Sequence, residues 1–190
     1  MKIETSIIGD RLRLRPMTEA DLPLRVQWFN DPDVRKTLVI TEQFELGKTI
    51  AWFHTLTDNQ SRVDFLVETF DAIPIGVTGL LHIDRTHRIA ECFCIIGAKA
   101  YWGGGFGTEI HSLLFQWAFE SLGIDKIWAT IRVNNPAIFK VVERLGFKIE
   151  GLLRKEICIE NSRHDVNRIG LLREEFTPTH SRYIMEMHSD

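Results

Sequence analysis

Hydrophobic and polar residues alternate along this chain with two different periods. In residues 11–15 arginine alternates with leucine, the period of a strand that buries one face. Across 108–122 the apolar residues recur instead at helical spacing, with Ile110, Leu113, Leu114 and Trp117 on one side. The chain therefore predicts a domain built from both strands and helices.

The same two patterns predict the element order β-α-α-β-β-β-loop-α-β-α-β-β. Strands are predicted at 11–15, 63–69, 74–83, 88–97, 126–133, 147–159 and 164–172, and helices at 18–29, 44–56, 108–122 and 135–145. Because hairpins are mixed with β-α-β crossovers, we expect a mixed α/β sheet with helices on both faces. The domain is predicted to span 1–176, with 177–190 as a polar C-terminal tail.

Composition narrows the class of protein. The chain has 190 residues, 44% of them apolar and 26% charged, which suits one domain and excludes disordered, collagen-like and disulfide-scaffold proteins. The net charge of −3, from 23 basic and 26 acidic residues, shows no basic footprint for nucleic acid. Since no stretch of about 18 apolar residues occurs and the start does not resemble a signal peptide, we expect no membrane partner.

The cysteines indicate a reducing environment. Their odd, sparse count of three favours the cytoplasm over an oxidising compartment. Cys92 and Cys94 lie two apart and therefore point to one face of a strand. Zinc needs about four ligands, and no second Cys/His pair has suitable spacing, so we expect no metal site.

A glycine-rich loop at 103–107 carries the clearest candidate chemistry. It lies between a predicted strand and a predicted helix, where glycines let backbone N–H groups face a ligand at the positive end of the helix. No lysine follows Gly107, which excludes a Walker loop, and Thr108 stands where a dinucleotide fingerprint needs its third glycine. The loop therefore predicts an anion site of another kind.

The loop resembles a known motif. Residues 101–109 are similar to the pyrophosphate loop R/Q-x-x-G-x-G/A of the GNAT acetyltransferase superfamily, with Gly105 and Gly107 as the motif glycines and Trp102 where Arg or Gln is usual. Residues 135–147 resemble the superfamily segment N-x-A-S-x-x-x-x-E-K-x-G-F. The Trp-Gly pair and the segment 150–176 resemble the RimJ/RimL-like branch, which contains ribosomal-protein N-terminal acetyltransferases. The resemblance covers roughly residues 8–176.

This resemblance implies the GNAT acyl-CoA acyltransferase fold, a central twisted sheet that is mixed but mostly antiparallel. It also implies acetyl-CoA as cofactor, with pantetheine along the edge of the strand 92–97 and an oxyanion donor among the N–H groups of 93–95. The cofactor-binding residues that it implies are Cys94, Ile95, Ile96, Trp102, Gly103, Gly104, Gly105, Phe106, Gly107, Thr108 and Asn135.

The resemblance further implies direct attack by a neutral amine on the thioester, which requires a base. Glu91, on the strand that leads into the cofactor site, is our candidate catalytic residue, with Glu68 as a weaker one; the alternative for Glu91 is an ordinary ion pair. Cys94 is expected to be a packed thiol and not a nucleophile.

The proton donor for the leaving thiolate has no obvious candidate. Ile138 and Val142 occupy the positions where related proteins often have Ser and Tyr, and neither can donate a proton. Either water protonates the thiolate or another residue does so, with His164 and Tyr183 eligible only by residue type.

The acceptor is an amine whose identity the sequence leaves open: a protein N-terminus, a polyamine, an amino acid or an aminoglycoside. A polycation would suit an acidic cleft, for which the available acids are Glu42, Glu45, Asp58, Asp64 and Glu68. The early aromatic residues Trp28, Phe29, Trp52 and Phe53 either flank this pocket or, as we favour, pack in the core.

Two other functions stay open from the sequence. One is a catalytically weak acyl-CoA-binding module on the same fold, given the missing proton donor. The other is a nucleotide-binding domain, which would bind ATP and not CoA. The sequence also leaves open whether the protein forms a homodimer.

Overall fold

The described residues form one nine-stranded sheet in the order β7-β8-β6-β5-β4-β3-β2-β1-β9. The computed structural model describes residues 5–39, 42–56, 58–133, 135–180 and 183–187. The strands are β1 Thr5–Ile8, β2 Leu12–Pro16, β3 Val63–Thr69, β4 Pro74–Asp84, β5 Ile89–Ile96, β6 Lys126–Arg132, β7 Lys148–Ile159, β8 Ser162–Leu172 and β9 Ile184–Met187. Only β5 and β6 pair in parallel, so the mixed, mostly antiparallel sheet that we predicted is confirmed.

In the part of the chain that the structure describes, five α-helices connect these strands. They are α1 Leu22–Asn30, α2 Pro32–Arg35, α3 Leu46–His54, α4 Phe106–Glu120 and α5 Pro136–Arg144. Local chemistry sets their ends: Asp31 accepts hydrogen bonds from the backbone of Asp33 and Val34 to start α2, and Gly123 takes a left-handed φ of +73° just after α4. None of the described helices combines the length and apolar character needed to cross a membrane.

Each face of the sheet has its own hydrophobic core. On one face α4 packs its buried residues, among them Ile110, Leu114 and Phe115, against β1 to β6. On the other face α1 and α3 pack against Leu66, Val77 and Ile95. This arrangement confirms helices on both faces, and it means that alternate residues of β5 face different cores.

The parallel pair β5–β6 separates partway along its length. Pairing is restricted to Ile89, Ala90 and Glu91 on β5, opposite Lys126, Ile127 and Trp128 on β6. Beyond Glu91, β5 continues to pair with β4, and β6 continues to pair with β8. The sheet therefore opens between Cys92–Ile96 and the second half of β6.

Most predicted elements are confirmed, with a few differences. β1 was missed because it is only four residues long, and α4 begins at Phe106, two residues before the predicted start. The predicted helix 18–29 begins as a 3-10 turn over Glu19–Asp21, and Pro32 starts the separate helix α2 that we did not predict. The segment predicted as a tail contributes β9, which pairs with β1 at the sheet edge.

A network of arginines and acids ties β2 and β3 to the start of α1. Arg15 donates to Glu68 Oε2 at 3.0 Å and to both carboxylate oxygens of Asp21 at 2.8 Å, and Arg13 also pairs with Glu68. Burial opposes ionisation of Asp21, but hydrogen bonds from Arg15 and Thr18 outweigh it and lower the Asp21 pKa below its usual range.

This lowered pKa predicts a pH-dependent contribution to stability. The ionised Asp21 carboxylate stabilises the folded state fully at pH values above the pKa of an unfolded aspartate, near 4. We expect this stabilisation to be lost as the pH falls below that value and the carboxylate becomes protonated. Asp21→Asn should cost about 1–3 kcal/mol at pH 7 and much less at pH 3. Urea unfolding at both pH values measures this difference. Asp71→Asn, in the exposed β3–β4 turn, is the control; an equal loss for Asp21→Asn at both pH values would contradict the prediction.

Candidate active site

A cavity of about 1370 Å³ opens where β5 and β6 separate. Its lining comes from both faces of the sheet. One part, the glycine-loop lobe, is lined by 101–108 without Gly104, by Cys94 and Ile96, and by α5. The other, the aromatic lobe, is lined by Arg25, Phe29, Phe44, Trp52, Arg62 and Phe93. One cavity thus connects the two faces through the gap in the sheet.

The glycine-loop lobe ends at the N-terminus of α4. Gly103 and Gly105 have φ values of +78° and +79°, a left-handed conformation that costs about 1–2 kcal/mol for residues with a side chain. Gly105 is the residue before the 15-residue helix α4, and no side chain caps this end. The positive end of a long helix therefore faces the cavity, which favours an anionic ligand there.

An ion pair that we did not predict supports this loop from behind. Glu109, fully buried in the first turn of α4, accepts hydrogen bonds from the backbone N–H of Arg11 at 2.8 Å and from its Nε at 2.7 Å. Arg11 also donates to the carbonyl of Gly104 at 3.0 Å and lies 4.2 Å from the centre of the Phe106 ring. The loop is thereby held between β2 and α4.

Trp102 has a clear structural task. Its indole Nε1 donates a 2.7 Å hydrogen bond to the carbonyl of Ile96, the last residue of β5. Because this strand has lost its β6 partner, the indole satisfies one backbone acceptor at the opened edge. Trp102 therefore holds the glycine loop against β5 where the motif usually has a cation.

Asn135 forms the start of α5. Its side-chain oxygen accepts a 3.3 Å hydrogen bond from the backbone N–H of Ile138, which makes Asn135 the N-cap. Asn135 also lines the cavity, opposite β5. All the residues predicted to bind the cofactor line this one cavity, except Gly104, whose carbonyl faces Arg11 instead.

Three basic residues that we did not single out also line the cavity, on β6 and α5. They are Arg132, Lys140 and Arg144. Arg132 donates to the carbonyl of Lys36 at 3.0 Å, which links β6 to the end of α2. Together with the N-terminus of α4, these cations favour a negatively charged occupant.

The aromatic lobe lies between α1, α3 and β5. Of the four early aromatic residues, Phe29 and Trp52 line the cavity, whereas Trp28 and Phe53 pack in the core. The Trp28 ring lies so close to Gly97 that a Cβ there would be 2.0 Å from it. Our expectation of core packing was therefore right for Trp28 and Phe53, while Phe29 and Trp52 also face the cavity.

Glu91 lies at the point where β5 leaves β6. Its side chain, 19% exposed, lines the cavity, and Oε2 is 2.7 Å from His82 Nδ1. A carboxylate only accepts hydrogen bonds, so Nδ1 carries the hydrogen. His82 lies at an irregularity in β4, where it has a left-handed φ of +47°. Its ring stacks on that of Trp128, and the guanidinium carbon of Arg168 lies 3.3 Å from the centre of the Trp128 ring. Glu91 thus both accepts a hydrogen bond from His82 and faces the cavity.

Two kinds of titratable group in the lining stay uncharged. Burial raises the pKa of the Cys92 thiol well above its usual value and that of Cys94 to about 12, so neither is a thiolate at neutral pH. Burial also lowers the pKa of His111. Its Nδ1 lies 2.7 Å from the Gly107 carbonyl. Because a carbonyl can only accept a hydrogen bond, the one N–H of the neutral ring is on Nδ1, and Nε2 has no proton to donate.

Several sequence-based candidates lie elsewhere. Glu68, the weaker candidate base, is 3% exposed and held by Arg13 and Arg15, and it does not line the cavity. His164 and Tyr183 do not line it either. Ile138 and Val142 both do, so the two positions that lack a proton donor face the cavity.

The acidic cleft that a polycation would need is incomplete. Glu42 and Glu45 line the cavity but are exposed, and Glu45 pairs with Lys48 at 2.8 Å. Asp64 is bound by Arg62, and neither Asp64 nor the exposed Asp58 belongs to the lining. Of the five acids that the sequence made available, Glu42 and Glu45 reach the lining, while Asp64 and Glu68 are committed to arginines.

Sequence reasoning missed the basic side of the aromatic lobe. Arg25 and Arg62 follow no motif, and each reaches the cavity only because α1 and β3 pack on the same face as Phe93. One signal was present: Arg25 falls on the buried side of α1, three residues before Trp28 and four before Phe29. No group of three His, Cys, Asp or Glu side chains in the described part of the chain is placed to hold a metal ion.

The comparisons with known proteins agree with this geometry. Residues 11–148 match the family model "Acetyltransferase (GNAT) domain". The chain is 34% identical over 149 residues to spermidine N(1)-acetyltransferase of Vibrio cholerae, covering 78% of this chain and 80% of that one. It is 29% identical over 176 residues to the uncharacterized N-acetyltransferase p20 of Bacillus licheniformis, covering 90% and 98% of the two chains.

A solved structure shows the same architecture. The crystal structure of spermidine N-acetyltransferase from Vibrio cholerae in complex with CoA and spermine superimposes with a TM-score of 0.82 at 27% identity, over 86% of this chain and 96% of that one. Its fold confirms the predicted fold class. The strands that separate, the glycine loop before α4 and the family match over most of the chain together show that this protein belongs to the GNAT acetyltransferase family.

Proposed function

We propose that this protein transfers the acetyl group of acetyl-CoA to the primary amine of a small molecule. The observation that carries the proposal is that one cavity joins the N-terminus of α4, on one face of the sheet, to Glu91, at the last position where β5 pairs with β6. Family membership and similarity to a spermidine N-acetyltransferase support the donor and the reaction. They give no support to a nucleotide-binding domain.

The glycine-loop lobe suits the cofactor. The pyrophosphate would lie at the start of α4, where Gly105, Phe106 and Gly107 present backbone N–H groups. Arg132, Lys140 and Arg144 provide further positive charge for the phosphates. Pantetheine would lie along Cys94–Ile96, where β5 has no β6 partner. Asn135 would form the opposite wall.

Glu91 is the catalytic base in this proposal. The amine nitrogen attacks the thioester carbon, a C–N bond forms, the C–S bond breaks, and Glu91 accepts the amine proton directly or through water. A backbone N–H between Phe93 and Ile95 stabilises the oxyanion. His82 is a positioning residue, because it donates to Glu91 Oε2 and is itself held by stacking on Trp128.

The leaving thiolate takes its proton from water in this proposal. The apolar Ile138 and Val142 line the cavity where a donor would be useful, and the neutral His111 has none to give. A CoA thiolate is stable enough in water that a dedicated acid is not essential. The missing donor therefore does not favour the catalytically weak binding module over an enzyme.

We also propose that the protein belongs to the RimJ/RimL-like branch, because a Trp-Gly pair, Trp102-Gly103, opens the glycine loop. We further propose a cytoplasmic location, because the three cysteines are all free thiols. A single domain over 1–176 stays a prediction, and the sequence leaves the oligomeric state open. Partners other than the cofactor and the amine, including nucleic acid and membranes, are not expected.

The reaction itself is tested by a thiol-release assay with acetyl-CoA and a panel of amines. We expect CoA release that depends on both the enzyme and the amine, together with acetyl-CoA binding by calorimetry. Binding without release for every amine would favour the catalytically weak module, and binding of ATP instead of CoA would contradict the proposal.

The cofactor loop is tested by Gly105→Leu. At a φ of +79° the new side chain strains the loop by about 1–2 kcal/mol, and its Cβ would lie 3.7 Å from the Arg11 guanidinium that supports the loop, so we expect acetyl-CoA affinity to fall at least about 10-fold. Gly123→Leu is the matched control: its φ is +73°, it follows the other end of α4, and it lies outside the cavity. Equal affinity of the two variants, measured by calorimetry, would argue against the loop assignment.

The role of Glu91 is tested by the pH dependence of Glu91→Gln. If Glu91 is the base, kcat/KM should fall about 10²-fold at pH 7 and less at pH 9.5, where more of the amine is already neutral. Glu42→Gln, which removes another carboxylate of the same cavity, should show no such pH-dependent loss. A ratio of wild-type to Glu91→Gln rates that stays constant with pH would exclude Glu91 as the base.

A further inference from the structure

Arg25 is a buried cation inside the aromatic lobe. It lies on α1, is 5% exposed and lines the cavity. Its guanidinium carbon is 4.2 Å from the ring centre of Phe29, 4.3 Å from that of Trp52 and 5.3 Å from that of Phe44. Its buried Nε has no hydrogen-bond partner among the residues that the structure describes.

The charge of Arg25 is not matched by a carboxylate. Burial lowers its pKa to about 10, so the guanidinium is still protonated at neutral pH. The nearby acid, Asp64, already accepts two hydrogen bonds from Arg62, at 2.6 and 2.9 Å. Arg62 in turn lies over the rings of Trp52 and Phe93, at 4.7 and 5.6 Å. The lobe is therefore lined by two guanidinium groups, and Asp64, which lies outside the lining, is committed to Arg62.

This arrangement is unfavourable for the empty lobe and favourable for an anion in it. A buried donor without an acceptor loses its hydration and gains no hydrogen bond in return. The aromatic faces compensate for part of this loss and at the same time fix the plane of the guanidinium. A fixed guanidinium fork matches the two oxygens of a carboxylate.

We propose that Arg25 binds a carboxylate of the acceptor, so that the acceptor is an amino acid or another small amine that carries an acid group. The inference deepens the proposed acetyl transfer and rests on it. Glu91 and Phe93 lie two apart on β5 and face the same side of the sheet, so an acceptor in this lobe reaches from Arg25 towards Glu91. The carboxylate anchors one end, and the amine lies at the opened strand edge.

The same charges disfavour a polyamine in this lobe. A polyamine would bring further positive charge beside Arg25 and Arg62, where low dielectric strengthens repulsion. The acids that line the cavity near it, Glu42 and Glu45, are exposed, and Glu45 is paired with Lys48. This chain therefore differs in acceptor from its relative named for spermidine.

The first test uses the wild-type enzyme and matched acceptors. Three series of equal chain length are compared by CoA release from acetyl-CoA: ω-amino acids from glycine to 6-aminohexanoate, n-alkylamines, and diamines. We expect kcat/KM for the best ω-amino acid to be about 10²-fold higher than for the alkylamine and the diamine of the same chain length. The reason is that these two analogues would leave the Arg25 guanidinium without a carboxylate partner. Alkylamines or diamines that react equally well would overturn the carboxylate inference and leave the acetyltransferase activity intact.

The second test removes the guanidinium. Arg25→Met keeps the length and apolar contacts of the side chain, and Arg163→Met, at an exposed position on β8 outside the cavity, is the matched control. We expect Arg25→Met to lower kcat/KM about 10²-fold for the ω-amino acid, mainly through KM, and less than about 3-fold for the alkylamine. Arg25→Lys should recover part of the loss. An equal loss for both acceptors would assign Arg25 a purely structural role.

Direct binding separates this inference from the proposed reaction. Calorimetry with butyrate and valerate, added to the enzyme with CoA, reports on the carboxylate site without turnover. If the wild type binds butyrate or valerate and Arg25→Met does not, the carboxylate site is supported, even if no acceptor of the panel reacts. A panel without any reacting acceptor would count against the proposed reaction alone. Absence of binding together with CoA release from alkylamines would overturn the carboxylate site alone.

Discussion

The separation of β5 from β6 is the constraint on which the rest of this molecule depends. Each strand stays fully paired on its other side, β5 with β4 and β6 with β8, so the sheet opens along one line only. The backbone groups that lose their partner must be satisfied in another way. Trp102 does this for the carbonyl of Ile96, and a bound thioester arm would do it for the others. The opening costs hydrogen bonds in the free protein and creates the binding edge.

Around this gap the two faces of the sheet have different chemistry. On one face the start of α4, with Arg132, Lys140 and Arg144, forms a polar, positively charged lobe. On the other, aromatic rings enclose Arg25, whose buried Nε has no hydrogen-bond partner among the described residues. Glu91 lies between the two at the last paired position of β5. A reaction that joins a large anionic donor to a small acceptor needs such a two-sided arrangement.

Rigidity at the gap comes from charged contacts as much as from the core. Arg11 and Glu109 fix the glycine loop to β2, and Arg15, Glu68 and Asp21 fix β2 and β3 to α1. These pairs are partly or fully buried, where removing one partner is more costly than at the surface. The Arg15–Glu68 pair also explains why Glu68, which a composition-based argument would assign to a polycation site, is not available for one.

The sequence by itself determined most of the element order, the mixed sheet and most of the glycine-loop lobe, because these depend on local signals. Alternation and helical spacing place β3 and α4, and the φ that Gly105 adopts is one that glycine favours. Only the tertiary structure decided the charge of the aromatic lobe. Arg25 lies on α1 and Phe93 on β5, while Arg62 immediately precedes β3, and no spacing relates them. Whether a buried arginine meets a carboxylate or an open cavity depends on contacts between segments distant in sequence, which periodicity does not encode.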